Sequence, residues 1–282
     1  MSDRELPVGV VQMCSTRNVD RNLADASALI REAHAKGALF IATPEMTNLL
    51  DTDRERVRRS AEEADASVRF FSGLAAELGV HLLIGSLALT SATGRLVNRS
   101  LLFNDRGRIA ARYDKIHMFD VEVGDAVFRE SRSYDAGSSL SLVDLPWGKL
   151  GLTICYDIRF PQVYRTLARA GACFFSVPSA FTRVTGEAHW DALMRARAIE
   201  NGAFIIAPAQ AGRHECGRES YGHSLIVDPW GEVLAEGGAE PGMLLATLKT
   251  GMAAEVRRRI PATSMAPGNL APVVSNQLMG RP

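Results

Sequence analysis

Short apolar runs and helical patterns alternate from one end of this 282-residue chain to the other. The run "VGVVQM" (8–13) predicts a strand, and Leu23, Ala26, Ile30 and Ala33 then recur at helical spacing up to a stop at Gly37. "ALFIATP" (38–44) predicts a strand that is apolar on both faces. Val68, Phe71, Leu74 and Leu78 mark a second amphipathic helix that Gly79 ends, and "VHLLIGS" (80–86) is a further buried strand. The rhythm then changes. "LVNRSLLFNDRGRIAARYDK" reads as two strands around Asn104–Gly107, a hairpin signal, and is followed by a long irregular stretch, "IHMFDVEVGDAVFRESRSYDAGSS". "LSLVDLPWGKLGLTIC" predicts a second hairpin turning near Pro146–Gly148. A helix beginning at Pro161 follows, with Val163, Leu167 and Ala170 on one face. "CFFSVPSA" predicts a strand, "HWDALMRARAIEN" a helix, "AFIIAPAQA" a strand and "SLIVDPWGEVLAE" a hairpin turning at Trp230–Gly231. Strands and helices alternating around hairpins imply an α/β fold with mixed sheets. No linker-like stretch divides the chain, so one domain is expected over 1–282. The segment 262–282 lacks periodicity and reads as a disordered end or an arm reaching a partner subunit.

Composition narrows the class. With 46% hydrophobic residues there is material for a large core, and 32 basic against 32 acidic side chains give a formal net charge of zero. Nucleic acid and anionic membranes are therefore not implied as partners. The longest apolar runs fall far short of the ~20 residues of a membrane span, and the charged start "MSDRELPVGVVQM" is unlike a signal peptide. A soluble cytoplasmic protein is expected. The four cysteines, Cys14, Cys155, Cys173 and Cys216, lie far apart with no CxxC pair, which speaks against zinc ribbons and redox motifs.

Candidate chemistry begins at "GLTICYDIRFP" (151–161), where Cys155 leaves a strand pattern just before a helix and charge follows at once. Unpaired backbone N–H groups at such an elbow favour a thiolate and later an oxyanion. Two roles fit Cys155: a nucleophile, or a small residue closing a buried strand. None of the six histidines sits in a context that marks it as the partner base. Glu45, at the end of "LFIATPEMT", offers a carboxylate behind an apolar run, whose burial would raise its pKa toward that of a useful base; an ordinary capping or salt-bridging glutamate fits as well. Lys115 in "RYDKIHMFD" is either an oxyanion stabiliser or a solvated lysine at a hairpin end, and Glu130 in "FRES" lies where it could hold that lysine. Asp157 and Arg159 fit as braces of the elbow, Arg159 through an ion pair or alternatively through substrate contact.

Taken together, "TPEM", "RYDKIHMFD" and "GLTICYDIRFP", in this order and at these separations, resemble the Glu-Lys-Cys signature of the nitrilase superfamily of carbon–nitrogen hydrolases. The resemblance extends over nearly the whole chain, through "PSAFTRVTGEAHWDALMRARAIE" to "SYGHSLIVDPWGEVLA". It implies a four-layer αββα sandwich of two mixed β-sheets, homodimers or higher homo-oligomers, and no metal or organic cofactor. It further implies that Cys155 is the nucleophile, Glu45 the general base and Lys115 an oxyanion donor beside the backbone N–H of Tyr156, with Glu130 as the second glutamate.

The stretch "PAQAGRHECGRESYGHSLIVDPWG" resembles the deaminated glutathione amidase branch more than the ω-amidase branch. The expected reaction is hydrolysis of a small amide through a cysteine thioester, releasing the free acid and ammonia or an amine. An ω-amidase acting on α-ketoglutaramate, an N-carbamoyl or aliphatic amidase, and a non-catalytic binding protein on the same fold are the alternatives. A substrate with two carboxylates and a ketone makes Arg183, Arg213 and Arg218 candidate contacts, with His189 at the pocket and Trp190 packing the helix. "DVEVGDAVFRES" departs from the branch pattern, in which Gly and Pro follow the acidic residues, and bears on substrate identity.

Overall fold

The computed structural model describes residues 4–124 and 126–265. The first strand, β1 (Glu5–Gln12), leads into α1 (Val19–Ala35), which Asn18 caps by accepting a hydrogen bond from the Arg21 N–H. β2 (Phe40–Ala42), α2 (Arg54–Glu62) and α3 (Asp65–Leu78) follow, and α3 ends at Gly79, whose φ of 65° needs a residue without a Cβ. β3 (His81–Thr90), β4 (Leu96–Phe103) and β5 (Ile109–Asp114) form a meander, and β6 (Asp120–Val123) and β7 (Ala126–Arg129) a small separate hairpin. Then come β8 (Ser141–Leu145), β9 (Gly148–Leu152), α4 (Pro161–Arg169), β10 (Ala172–Ser176), α5 (Arg183–Asn201) and β11 (Phe204–Ala207). β12 (Ala211–Arg213) pairs with β13 (Glu219–Tyr221), and β14 (Leu225–Val227), β15 (Val233–Glu236), β16 (Gly242–Lys249) and α6 (Met252–Arg259) complete the described chain.

Two six-stranded mixed sheets result, ordered β16-β1-β2-β3-β4-β5 and β15-β14-β11-β10-β9-β8. Each has three parallel strands at its centre (β1, β2, β3 and β9, β10, β11) with antiparallel strands outside them. The central strands are apolar on both faces because both are covered. In the first sheet, Val8, Val10, Phe40, Ala42, Leu83 and Leu102 belong to a core shared with Leu150, Leu152 and Phe174 of the second sheet. The alternate residues Val11, Ile41, Leu82, Ile84 and Leu101 pack instead with Ile30 and Ala33 of α1 and Phe71 and Leu74 of α3. On the other side α4 and α5 cover the second sheet, with Tyr164, Leu167, Trp190 and Met194 buried. The period of two thus separates a sheet-on-sheet core from a sheet-on-helix core.

The three hairpins expected around Asn104–Gly107, Pro146–Gly148 and Trp230–Gly231 are present as β4–β5, β8–β9 and β14–β15. The stretch expected to be irregular, 116–139, contains the β6–β7 hairpin and a 3-10 turn over Glu130–Arg132. Of the tail over 262–282, residues 266–282 lie outside the described residues.

Candidate active site

Four polar side chains converge where the two sheets face each other. Glu45 stands in the loop after β2, held by hydrogen bonds from the Met46 N–H to Ser86 Oγ (2.9 Å) and from the Thr47 N–H to the Ser86 carbonyl (3.0 Å). Lys115 directly follows β5 and its N–H reaches the Asn98 carbonyl at 2.9 Å. Glu130 opens the 3-10 turn that follows β7. Cys155 opens a second 3-10 turn, Cys155–Arg159, between β9 and α4, with φ at 49°. A left-handed backbone is strained for a residue with a Cβ. It is held here by the Cys155 N–H donating to the Pro178 carbonyl at 2.9 Å.

Lys115 Nζ donates to Glu45 Oε1 at 2.8 Å and to Glu130 Oε2 at 2.9 Å, with 2% of the lysine exposed. Asn98, fully buried on β4, donates its amide to Glu45 Oε1 (2.8 Å) and to Glu130 Oε1 (3.1 Å), and the Ala180 N–H donates to Glu45 Oε2 at 2.9 Å. The Phe119 N–H fixes Glu130 Oε2 at 2.7 Å. Both glutamates are thereby locked, and each remaining lone pair has a fixed direction.

Electrostatics follow from this geometry. Burial pushes the Glu45 carboxyl up, but the Lys115 charge and hydrogen bonds from Lys115, Cys155 and Asn98 outweigh it and leave the pKa below its ordinary value. The raised carboxyl expected from burial alone is thus corrected: a cation sits against it. Burial opposes the charge on Lys115, yet Glu130 and Glu45 hold its pKa well above the usual range, so it stays protonated. Burial and the Glu45 charge drive the Cys155 thiol strongly upward, which Lys115 only partly counters. The elbow therefore holds a thiol, not the thiolate that its position suggests. Glu45 is an ionised base beside that thiol in the same wall.

Asp157 braces the elbow. Its buried carboxylate accepts from the Ile154 N–H (3.0 Å), Tyr113 Oη (2.7 Å) and the His117 N–H (3.1 Å), and His117 Nδ1 lies 2.7 Å away. Arg159 makes no ion pair among the described residues. Its guanidinium lies over the Phe181 ring, 5.6 Å from the centroid, with Nη2 3.3 Å from His189 Nδ1. The Tyr156 N–H has no acceptor among the described residues.

A cavity of about 280 Å³ opens above this corner, with Glu45, Lys115, Glu130, Cys155 and Tyr156 in its wall. Of the cationic candidates Arg218 lines it. Arg183 and Arg213 line a different depression, beside Glu219 and Tyr221, where Arg183 is paired with Glu187 at 2.9 Å. His189 is exposed and lines neither. Trp190 is buried and donates to the His223 carbonyl at 2.7 Å, in keeping with a packing role. Residues that the sequence did not single out complete the site: Asn98, the Ala180 N–H, Tyr134, Phe119 and Phe128 in the wall, and Gln210, whose amide donates to the Glu45 carbonyl at 2.9 Å. None of these carried a clear signal: Asn98 lies in "LVNRSLLF" beside Arg99 and Ser100, where a polar residue is unexceptional. Among the described residues, no group of three or more His, Cys, Asp or Glu is placed to hold a metal ion, and no helix is long and apolar enough to cross a membrane.

Known proteins resemble this chain in sequence and in fold. A deaminated glutathione amidase from Yersinia enterocolitica is 39% identical over 260 residues, covering 90% of each chain. The structure of the C. elegans NitFhit protein superposes with a TM-score of 0.89 at 34% identity, over 94% of this chain and 66% of that one. An amidase from Nesterenkonia sp. AN1, in a glutamate-to-glutamine mutant whose active-site cysteine has added to acrylamide, superposes at 0.77 with 25% identity, over 90% of this chain and 99% of that one. The family model described as carbon-nitrogen hydrolase matches residues 7–258. Its match over most of the chain, together with the fold and the convergent corner, makes this protein a member of the carbon–nitrogen hydrolase family, within the nitrilase superfamily.

Proposed function

We propose that the protein is an amidase that cleaves a small amide C–N bond through a thioester on Cys155, with deaminated glutathione or a related 2-oxo acid amide as substrate. The observation that carries this reading is the buried carboxylate Glu45, hydrogen-bonded to Lys115 and set in one cavity wall with Cys155, whose thiol its charge keeps protonated. As sulfur attacks the carbonyl carbon, the thiol proton passes to Glu45. A thiol held this far up in pKa needs such a base only at the moment of attack. The oxyanion that forms is met by Lys115 Nζ and the Tyr156 N–H, donors whose loss typically costs roughly 10²–10³ in rate. Glu45 returns its proton to the departing nitrogen. The carboxylate then takes a proton from water as water adds to the thioester, and the proton passes to sulfur as the free acid leaves. Glu130 holds Lys115 charged and in place.

The finer choice of substrate rests on the deaminated glutathione amidases among the relatives. The reading as one domain over 1–282, a cytoplasmic setting and a homo-oligomer belong to the same proposal. Four free thiols fit a reducing compartment. The test is release of free amine or ammonia from deaminated glutathione, α-ketoglutaramate and a nitrile panel, beside Cys155→Ala and Glu45→Gln. Turnover of deaminated glutathione, abolished in both variants, with an acyl adduct on Cys155 seen by intact mass in wild type, is expected. Preference for α-ketoglutaramate would overturn the choice of deaminated glutathione and favour the ω-amidase alternative. Turnover that survives Cys155→Ala would overturn the mechanism.

A further inference from the structure

The reacting corner carries an excess of negative charge, two ionisable carboxyls against one lysine, so an anionic substrate entering this cavity meets repulsion unless cations face it elsewhere. Three arginines stand in the cavity wall, Arg54, Arg129 and Arg218, and one of them is already engaged. Arg129 is held by Glu122 at 2.5 Å and donates to the carbonyls of Val121 and Phe128. Arg56 and Arg17 both pair with Asp51, at 2.7 and 3.4 Å. Two arginines of the wall, Arg54 at the first turn of α2 and Arg218, make no ion pair among the described residues.

Arg218 is also held ready. It lies between β12 and β13, where its carbonyl accepts from the His214 N–H at 2.9 Å. The buried His214 is fixed in turn by Ser220 Oγ at 2.8 Å and the Ser15 carbonyl at 2.9 Å. The guanidinium lies over the Phe128 ring, its carbon 5.5 Å from the centroid, a cation–π contact that uses none of its N–H donors on another acceptor. From Phe128, ring contacts run to Phe119 at 5.1 Å and on to Tyr156 at 5.2 Å, the residue beside the nucleophile. Arg218 and Cys155 thus line the same cavity, with this row of rings between them. Tyr134, whose hydroxyl has no hydrogen-bond partner among the described residues, lines the wall with them.

We propose that Arg218, assisted by Arg54, is the carboxylate-recognising element of this site, and that its substrates are anionic amides whose carboxylate lies several bonds from the scissile carbon. This rests on Cys155 as the nucleophile and deepens the amidase reading by naming its substrate class. It also removes Arg183 and Arg213 from substrate recognition. Deaminated glutathione belongs to the class, and neutral aliphatic amides do not.

Two acrylamides of equal size test the proposal without requiring turnover: N-acryloylglycine, which is anionic, and the neutral N-acryloylglycinamide. Each adds its terminal alkene carbon to the Cys155 sulfur while the thiol proton ends on the carbon beside the carbonyl. The second-order rates are followed by intact mass. In the wild type the anionic probe reacts faster, and Arg218→Gln lowers the ratio of the two rates by roughly 10- to 100-fold, the worth of one charge-assisted pair. Arg218→Lys restores part of the ratio, and Arg213→Gln, on the separate depression, leaves it at the wild-type value. An equal rate for both probes in the wild type, or an Arg218→Gln ratio unchanged in a protein with native circular dichroism, would overturn the proposal. Failure of the amidase reading shows separately, as no product from any amide while the anionic preference persists.

Discussion

Replacing Asn98 by leucine removes one amide that serves both glutamates. Asn98 is fully buried, and its Nδ2 donates to Glu45 Oε1 at 2.8 Å and to Glu130 Oε1 at 3.1 Å, while its Oδ1 has no hydrogen-bond partner among the described residues. Hydrogen bonds to charged groups are worth about 1.5–3 kcal/mol each, so losing two costs about 3–6 kcal/mol. Leucine keeps the branched outline of the side chain and removes the unpaired carbonyl, which offsets about 1–3 kcal/mol. A net loss of about 2–3 kcal/mol is expected, visible as a fall in Tm of about 5 °C or more for a chain of this size.

The pH dependence carries the sharper signature. Glu45 must be ionised to accept the thiol proton, and its folded pKa lies below the ordinary 4.5 in part because Asn98 donates to it. Its activity is therefore present above that folded value, while its contribution to stability is full above the ordinary 4.5 and is lost as pH falls from there through the folded value. Without Asn98 the loss begins at higher pH, so the acid limb of the kcat/KM profile moves upward. Amine release from deaminated glutathione between pH 3 and 9, together with urea unfolding at the same pH values, measures both. An acid limb that stays in place or moves downward would refute the role given to this amide in setting the base.

Asp157→Asn puts an amide N–H₂ where either Ile154 N–H and Tyr113 O–H, or the His117 donors, now find an acceptor. A loss of about 3 kcal/mol or more is expected, with kcat falling more than KM rises as the elbow loosens, and a Tm within about 2 °C of wild type would contradict it. Gly85→Ala places a Cβ 2.1 Å from the Thr43 carbonyl oxygen and 2.5 Å from that of Pro44, backbone that cannot swing aside. Overpacking of this kind costs about 1–3 kcal/mol or more, and because the displaced strand end delivers Glu45, activity should fall further than stability. Thermal melts beside steady-state rates decide that case, and equal activity per folded molecule would count against it.

The parts of the fold legible in sequence are those whose apolar pattern is complete. β1, β2 and β3 are covered on both faces and read as unbroken runs. α2 shows only Val57 and Ala61 to the interior, too little for a visible stripe, and β6–β7 lies over the cavity with no fully buried side chain. Glu45, Lys115 and Cys155 stand out through residue types in known surroundings. Asn98 does not, because its importance arises from pairing across strands with residues 53 and 32 positions away. The direction of the Glu45 shift was hidden for the same reason: burial is visible in a run of apolar neighbours, but the cation that reverses its effect comes from 70 residues downstream. Arg213 and Arg218 lie five residues apart yet face different depressions, a separation set by the turn between β12 and β13.

Glu45 is gripped from both sheets: Lys115 and Asn98 reach it from the first, and the Ala180 N–H and Gln210 from segments that follow β10 and β11. Its last partner lies 165 residues further along the chain. A ribosome that has released the chain only as far as β5 and Lys115 has produced the base and its lysine but no nucleophile. One that has just released Cys155 has produced the thiol without Ala180 or Gln210 to aim the base. The reactive unit comes into existence only when the second sheet closes on the first, so the growing chain carries no working catalyst until most of its synthesis is complete.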